Sequence, residues 1–529
     1  MNKIITFTVL GTVLILLALN LFHKEKPLNL AQYELKQKYA VQPSSSVDHS
    51  KFTILQEQFD TPQEVTEACL TCHNERHKEI IQSSHWNWER LAYEEGKGIT
   101  SVGKKNVLNN FCIGASSNEQ SCAKCHIGFG MGNNTFDFEN ARNVDCMVCH
   151  DGSEEYIKGS AMAGYPDRSV NLNNVAQSVG RPNKINCGAC HFYSGGGNNV
   201  KHGDLEEALL SCDRNTDVHM ASNGINMSCV DCHTADKHQI KGKLYSVSST
   251  DVNRLNCDDC HGAKPHHDEL LNRHFSKVSC QTCHIPTYAK ENATKMAWKW
   301  SEAGRLDENG NAFHEEDSMG NHSYLSIKGE FVWEKNVEPE YYWFNGQATH
   351  YALGDTVSEF PIQVNRLLGD AHDSKAKIYP VKVHRGDQIY DPETKLLIQP
   401  RLYSESKGDS AYWMDFDWQL SATAGMKEVG LPYSGHYEFV ETEMYWPINH
   451  MVSPKEQALS CEECHTSNNG RLANLDGFYL PGRDSNDWIE LLGNILLWAS
   501  VAGVFIHALA RFFKALSKNE VESEDIKYD

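Results

Sequence analysis

Cys69-Leu70-Thr71-Cys72-His73 is the stretch on which this sequence turns. The same pattern, two cysteines separated by two residues and followed at once by histidine, returns seven times. The copies are Cys122/Cys125/His126, Cys146/Cys149/His150, Cys187/Cys190/His191, Cys229/Cys232/His233, Cys257/Cys260/His261, Cys280/Cys283/His284 and Cys461/Cys464/His465. With 18 Cys and 26 His in 529 residues, chance supplies about 0.03 copies. Thiols three residues apart add to the two vinyl groups of one haem, and the adjoining imidazole then meets the iron. Zinc needs four ligands per site and gives no reason for a histidine after every pair, while a redox CxxC occurs once or twice in a chain. The sequence therefore predicts eight c-type haems, with these eight histidines as proximal ligands.

The rest of the composition agrees. Lys+Arg is 49 and Asp+Glu is 70, a net charge of −21, which argues against a nucleic-acid partner. Rossmann, P-loop and metalloprotease signatures are missing from the sequence. Seven units crowd between Cys69 and His284, leaving little chain for a conventional core. The expected fold is mainly α with much irregular structure, a multihaem cytochrome whose core is eight packed haems, plus terminal transmembrane helices. Residues 1–23 read as a signal or membrane anchor, because Ile4 to Phe22 is uncharged and spans about 29 Å as a helix. Residues 24–60, with Pro43-Ser44-Ser45-Ser46, read as a tether. Residues 61–284 form the seven-haem region, opening on Thr61-Pro62-Gln63-Glu64 as a helix start, and Asn74 to Tyr93 reads as one helix. Residues 285–450 are haem-free and aromatic-rich, with Glu330-Phe331-Val332-Trp333 as a strand and Asn345-Gly346 as a turn; the segment is read as a cover for haem edges. Residues 451–484 hold the eighth haem. Residues 485–529 carry a second apolar run, Leu491 to Ala510, followed by Arg511, Lys514 and Lys518. With Lys3 before the first run, both termini read as cytoplasmic and everything between them as periplasmic, on the inner membrane. His507 lies in the second run, either at the membrane interface or facing a partner.

Sixth ligands decide between a wire and an enzyme. An iron with His on both faces passes electrons but binds no substrate without losing a ligand. After the 8 proximal histidines, 18 of 26 remain (26 − 8). Those near the motifs are His85, His202, His219, His238, His266, His274 and His450. His77, four residues beyond His73 on the same helical face, reads as a surface residue; His267 competes with His266, and His384 and His436 stand as alternates. The first set numbers seven, which leaves one iron without a distal histidine. Lys201 adjoins His202, and in extended chain the two point opposite ways. Lysine ligates only as the neutral amine, which burial favours; its other reading is a solvated lysine in a Gly/Asn-rich loop.

The sequence resembles the octahaem tetrathionate reductase family of c-type cytochromes over about residues 61–465. The resemblance rests on the eight units and on four passages. These are Ser84-His85-Trp86-Asn87-Trp88, Asn110-Phe111-Cys112-Ile113, Gly197-Asn198-Asn199-Val200-Lys201-His202-Gly203-Asp204-Leu205, and Cys280 to Pro286. It implies seven bis-His haems and one catalytic haem, the second, with Lys201 as distal ligand and Cys112 close by. It also implies a small sulfur or nitrogen oxyanion as substrate: tetrathionate, nitrite or hydroxylamine. The C-terminal apolar helix suggests quinol-linked electron supply through a quinol-oxidising membrane cytochrome. All eight motifs here end in His, unlike nitrite reductases of the CxxCK type. Cys112 and Cys212 lie outside the motifs and are either bridged or free; a free Cys112 would face the second haem.

Overall fold

The computed structural model describes residues 47–112, 114–242 and 253–525. The apolar run Ile4–Phe22 falls outside them, as do most of the expected tether and the last four residues. The chain divides into two compact units, Met1–Asp48 and His49–Asp529. Every helix and strand among the described residues belongs to the second.

The motif-bearing part is made of short helices joined by irregular chain. Helix α1, Pro62–Cys72, starts as its sequence dictates: Pro62 is at the first turn, and Thr61 and Glu64 exchange the reciprocal bonds of a capping box. It runs directly into the first CxxCH. The other motifs sit on single turns or short helices such as α2, Lys184–His191. Residues i and i+3 share a face there, which puts both thiols of a pair on one side. Boxes built on Asn183/Asn186, Ser228/Asp231 and Ser460/Glu463 start three of these turns. Such turns are too short to be stable alone, so the motif region depends on what it packs around.

Asn74–Tyr93 is not one helix. It breaks into Arg76–Ile80 and Ser84–Asn87, then turns into strand β1, Arg90–Glu94, paired with β2, Gly98–Val102. Ser83 caps the second piece, Asn87 Nδ2 donates back to the Ile81 carbonyl at 2.6 Å, and Trp88 takes a left-handed φ of 54°. These local side-chain bonds compete with helix continuation.

The larger departure from a mainly helical chain is a nine-stranded sheet formed within 285–450. Its strands are β3 (Thr294–Lys299), β4 (His314–Glu316), β5 (His322–Leu325), β6 (Gly329–Glu334), β7 (Glu340–Phe344), β8 (Ile362–Gln363), β9 (Lys377–Asp391), β10 (Leu396–Leu397) and β11 (Glu438–Pro447). The order is β8-β11-β9-β3-β6-β5-β4, with β7 and β10 also pairing with β9. The 15-residue β9 is the spine, antiparallel to β11 and parallel to β3. At their crossing, Gly386 pairs with Trp298, and a Cβ there would stand 2.4 Å from the Trp298 carbonyl oxygen. Against the sheet lies the main apolar cluster, in which Trp298, Trp300, Ile389, Trp446, Leu108 and Phe111 are all buried. The haem-free segment thus supplies most of an apolar core, shared with Leu108, Phe111 and Val200 of the motif-bearing part, and β9 carries the buried polar side chains Lys382 and His384 through it.

The last element is α3, Asp487–Asp525. Residues Asp487–Ala515 of it, 29 residues that contain an 18-residue window of mean hydropathy 1.9, are long and apolar enough to cross a membrane, and none of that window is buried. The helix continues past Arg511 and Lys514 without a break.

Candidate functional site

Seven of the eight motif histidines face a second imidazole. The ring centroids are 6.5 Å apart for His73 and His49, 6.4 Å for His150 and His238, and 6.2 Å for His191 and His85. They are 6.2 Å apart for His233 and His450, 6.0 Å for His261 and His219, 6.0 Å for His284 and His266, and 6.1 Å for His465 and His274. A metal held between two imidazole nitrogens at about 2.0 Å separates the ring centroids by about 6.3 Å. The residues therefore fit a six-coordinate haem iron at each of these seven positions.

Partners behind the rings orient them. Nδ1 of His150, His233, His274 and His465 bonds the carbonyls of Gly180 (2.8 Å), Lys241 (2.9 Å), Leu270 (3.0 Å) and Pro481 (2.9 Å). His238 uses the Glu79 carboxylate at 2.8 Å, and His450 uses Asp204 at 3.1 Å. Each bond occupies Nδ1 and leaves Nε2 for a metal, as the outer shell of a ligating histidine does.

Six of the expected distal histidines, His85, His219, His238, His266, His274 and His450, stand opposite a motif histidine. His202 does not. Its ring contact is with Trp446, at 4.9 Å and 76°. The place opposite His73 belongs instead to His49, on a short 3₁₀ turn, His49–Lys51, in what reads from sequence as tether. Replacing His49 with Ala should leave haem content unchanged and convert one haem's worth of low-spin signal to high-spin in magnetic dichroism; an unchanged spectrum would remove His49 as a ligand.

Thiol contacts give the order of the units in space. Cys69 lies beside Cys146, Cys125 beside Cys190, Cys187 beside Cys229 and Cys257 beside Cys280. Cys149 lies near Cys187 and Cys190, Cys260 near Cys232, and Cys464 near Cys283. Spatial order is therefore first, third, fourth, fifth, sixth, seventh, eighth, with the second unit joined to the fourth.

Among the described residues, the second unit is the one without an imidazole pair. His126 is fully buried, and its pKa is pushed down to about 3, by burial first and by the charges of Lys158 and Lys104. Neutral imidazole is the metal-ligating form. Its Nε2 lies 2.7 Å from the Trp86 carbonyl oxygen while Nδ1 has no partner, so ligation through Nε2 requires the ring to turn from Trp86. Around this unit gather Lys201, Cys112 and Lys104. Burial first, and the charge of Lys104 next, push the Lys201 amine down to about 8, while thiolates at Cys125 and Cys112 act the other way. Lys201 Nζ also stands 4.5 Å from the centre of the Trp446 ring.

The loop that carries Lys201 is pinned. Asn199 takes a left-handed φ of 56°, and its carbonyl accepts from Thr294 Oγ1 at 2.5 Å. Buried Lys382 on β9 donates to the carbonyls of Val200 (2.8 Å) and Lys201 (3.1 Å) and to Thr294 Oγ1 (2.6 Å). Gly203 has a φ of 86°, and a Cβ there would stand 2.8 Å from the Tyr288 ring. Asp204 then accepts from the backbone N–H groups of Asn449 (2.7 Å) and His450 (2.9 Å). One loop thus sets both Lys201 and the partner of His233.

Cys112 is held by a bond from its N–H to Asn109 Oδ1 at 3.0 Å. It and Cys212 are both free thiols. Cys112 packs on the main cluster, Cys212 in a separate one with Phe192 and Leu209. Next to Cys112, Phe111 stacks on His384 at 4.1 Å, and Asn110 exchanges bonds with the His384 ring (3.0 Å) and carbonyl (2.8 Å). His384 Nε2 is buried without a partner. Sequence marks His384 only as an alternate ligand and gives no signal for its place beside Phe111 or for Lys382, because β9 lies 272 residues beyond Cys112 (384 − 112).

Comparison with known proteins returns the same chemistry. Residues 295–468 match the family described as "Cytochrome c bacterial", and residues 37–151 match "Cytochrome c554 and c-prime". The chain is similar to the octahaem cytochrome c of Shewanella oneidensis, known from a crystal structure. The two are 45% identical, the match covers 80% of this chain and 94% of that one, and the TM-score is 0.74. An uncharacterized protein of Archaeoglobus fulgidus is 24% identical over 247 residues, 36% of this chain and 80% of that protein.

Proposed function

The chain belongs to the octahaem cytochrome c family, whose members bind c-type haem for electron transfer and redox chemistry, and we propose that it is a membrane-anchored periplasmic reductase. It receives electrons from a quinol-oxidising membrane cytochrome and delivers them to a small sulfur or nitrogen oxyanion at the second unit. The observation that supports this reading is the asymmetry of the ligand sets: seven imidazole pairs, and one unit faced by Lys201 and Cys112. When bound, eight haems would supply the stored electrons and, at the second unit, an iron whose distal ligand can be displaced.

The chain's own residues do the rest. Burial favours the neutral Lys201 amine, a weaker and more easily displaced ligand than imidazole. Lys104 adds positive charge beside Cys122 and Lys201, which draws an anion, while burial holds Lys295, near Cys112, toward its neutral form. The thiol of Cys112 stands ready to engage a sulfur oxyanion by exchange. Tetrathionate would take two electrons, splitting its central S–S bond into two thiosulfates; nitrite or hydroxylamine would be reduced toward ammonia. Reduced-dye assays with the three substrates side by side test the reading, and failure to consume any of them with fully haem-loaded protein would favour the second reading. That reading, a conduit without catalysis, draws on the unbroken run of neighbouring units.

Lys201 also gives a pH dependence. Because its pKa is lowered to about 8, the amine takes up a proton as pH falls through that region, and binding to iron moves the midpoint lower still. Between about pH 9 and pH 6, one haem's spectrum should change from amine-ligated to open while the other seven stay fixed. A spectrum constant over that range would contradict amine ligation.

For the anchor, Asp487–Ala515 spans about 44 Å as a helix, more than the hydrocarbon layer of about 30 Å. Arg511 and Lys514 at its end orient the C-terminus to the cytoplasm. In a variant exported on a cleavable signal in place of residues 1–23, truncation after Asn486 should move the haem-loaded protein from the membrane to the soluble fraction with dye-linked activity intact; retention in the membrane would show that α3 is not the anchor.

A further inference from the structure

We propose that the β4–β5 hairpin carries a binding site for a divalent transition cation of the zinc type, built from His314, Glu316 and His322. The hairpin is the outer edge of the nine-stranded sheet, with β4 as the last strand. His314 and Glu316 are two residues apart on β4 and so share a face. His322 on β5 stands directly opposite Glu316, because the register shifts between Glu315 and Glu316. Without that bulge Glu316 would face Ser323 and His322 would point to the other side of the sheet. Re-aiming a side chain in this way is a recurrent use of bulges.

The ligand atoms of the three residues all lie within 4.8 Å of one another. The two imidazole centroids are 5.1 Å apart, and His322 Nδ1 is 4.0 Å from the Glu316 carboxylate. Ligands around a tetrahedral zinc at 2.0–2.1 Å are about 3.4 Å apart, so rotation of exposed side chains closes the set without moving the backbone. The backbone is already fixed. Asp317 accepts from the N–H groups of Met319 (2.8 Å) and Asn321 (2.9 Å) across the turn, and Trp333 Nε1 donates to the His322 carbonyl at 2.7 Å.

Two imidazoles and one carboxylate are a donor set for zinc, copper or nickel rather than calcium or magnesium, which take oxygen ligands. Three protein ligands leave one coordination position to water or to a group from outside. The site shares no residue with the haem motifs, and nothing in the proposed reductase chemistry uses it.

The test uses the full-length, untagged, haem-loaded protein, freed of loose metal with a chelator and titrated with Zn²⁺ against a chromophoric competitor. One equivalent should bind, with absorption at the zinc edge reporting nitrogen and oxygen neighbours at about 2.0 Å. His314→Ala and His322→Ala should each weaken binding about tenfold or more, with haem content and the haem spectrum unchanged. His314→Asn and His322→Asn, which keep polar side chains on the edge strand, should do the same. Equal stoichiometry and affinity in wild type and the double variant would overturn the site, as would no uptake by wild type at about 0.1 mM Zn²⁺.

Discussion

Replacing Lys201 with Leu should lower turnover of the physiological substrate by about 10²-fold or more while haem content stays unchanged. The amine's carriers are elsewhere: the loop is held by Lys382, Thr294 and Asp204 through main-chain groups, so the substitution removes a head group and leaves its support. Leu offers no ligand, and the second unit should turn high-spin. Lys201→His gives a sharper contrast. It offers the iron a tighter ligand, should restore a low-spin spectrum, and should still abolish turnover. Electron transfer through the remaining units to an external acceptor should be little changed in either variant. Full turnover in both would eliminate Lys201 from catalysis and leave the conduit reading.

Asp204→Ala should be the most damaging change outside the motifs. Its buried carboxylate accepts three bonds, from Asn449 N–H, His450 N–H and His450 Nδ1, and Ala leaves those donors unpaired. The expected destabilisation is about 3–5 kcal/mol. Burial by itself would raise the pKa of Asp204, but the bond and charge of His450 outweigh it and the net direction is down. A carboxyl with a depressed folded pKa stabilises the fold above its unfolded pKa and loses that contribution as pH falls through the folded value. The wild type should therefore lose stability on acidification below about pH 4 more steeply than Asp204→Ala. In the variant, the fifth unit's spectrum should also broaden as the His450 ring loses its fixed orientation. Denaturant midpoints measured across that pH range, with the fifth haem followed by paramagnetic resonance, check both; identical midpoints would show that Asp204 adds nothing to stability.

The proximal half of the site is legible in the sequence because its chemistry is local. Two thiols and an imidazole within five residues must share one haem, whatever the rest of the chain does. The Thr61/Glu64 box and the Glu330–Trp333 strand are legible for the same reason. Distal partners obey no such constraint. His233 meets His450 across 217 residues (450 − 233), and nearness to a motif is the only guide a sequence offers. That guide selects His202, which the fold turns toward Trp446, and passes over His49, which lies in a polar stretch with no helical or strand period. The breadth of the sheet is hidden likewise. β9 pairs with four strands, and its buried Lys382 and His384 interrupt the apolar alternation that would mark a core strand. Those two residues hold the Lys201 loop and the Asn110–Phe111 stretch that precedes Cys112.

The spatial order of the units differs from their order in the chain, and this bears on supply and demand. A catalytic centre at the end of a single file sees one electron at a time from one neighbour. Here the second unit hangs from the fourth, which has further units on both sides. In the proposed reading the two arms act as a charge reservoir, filled between turnovers and discharged through one junction. A substrate that needs several electrons in quick succession can then be carried past its reactive half-reduced forms without waiting for the membrane donor to return.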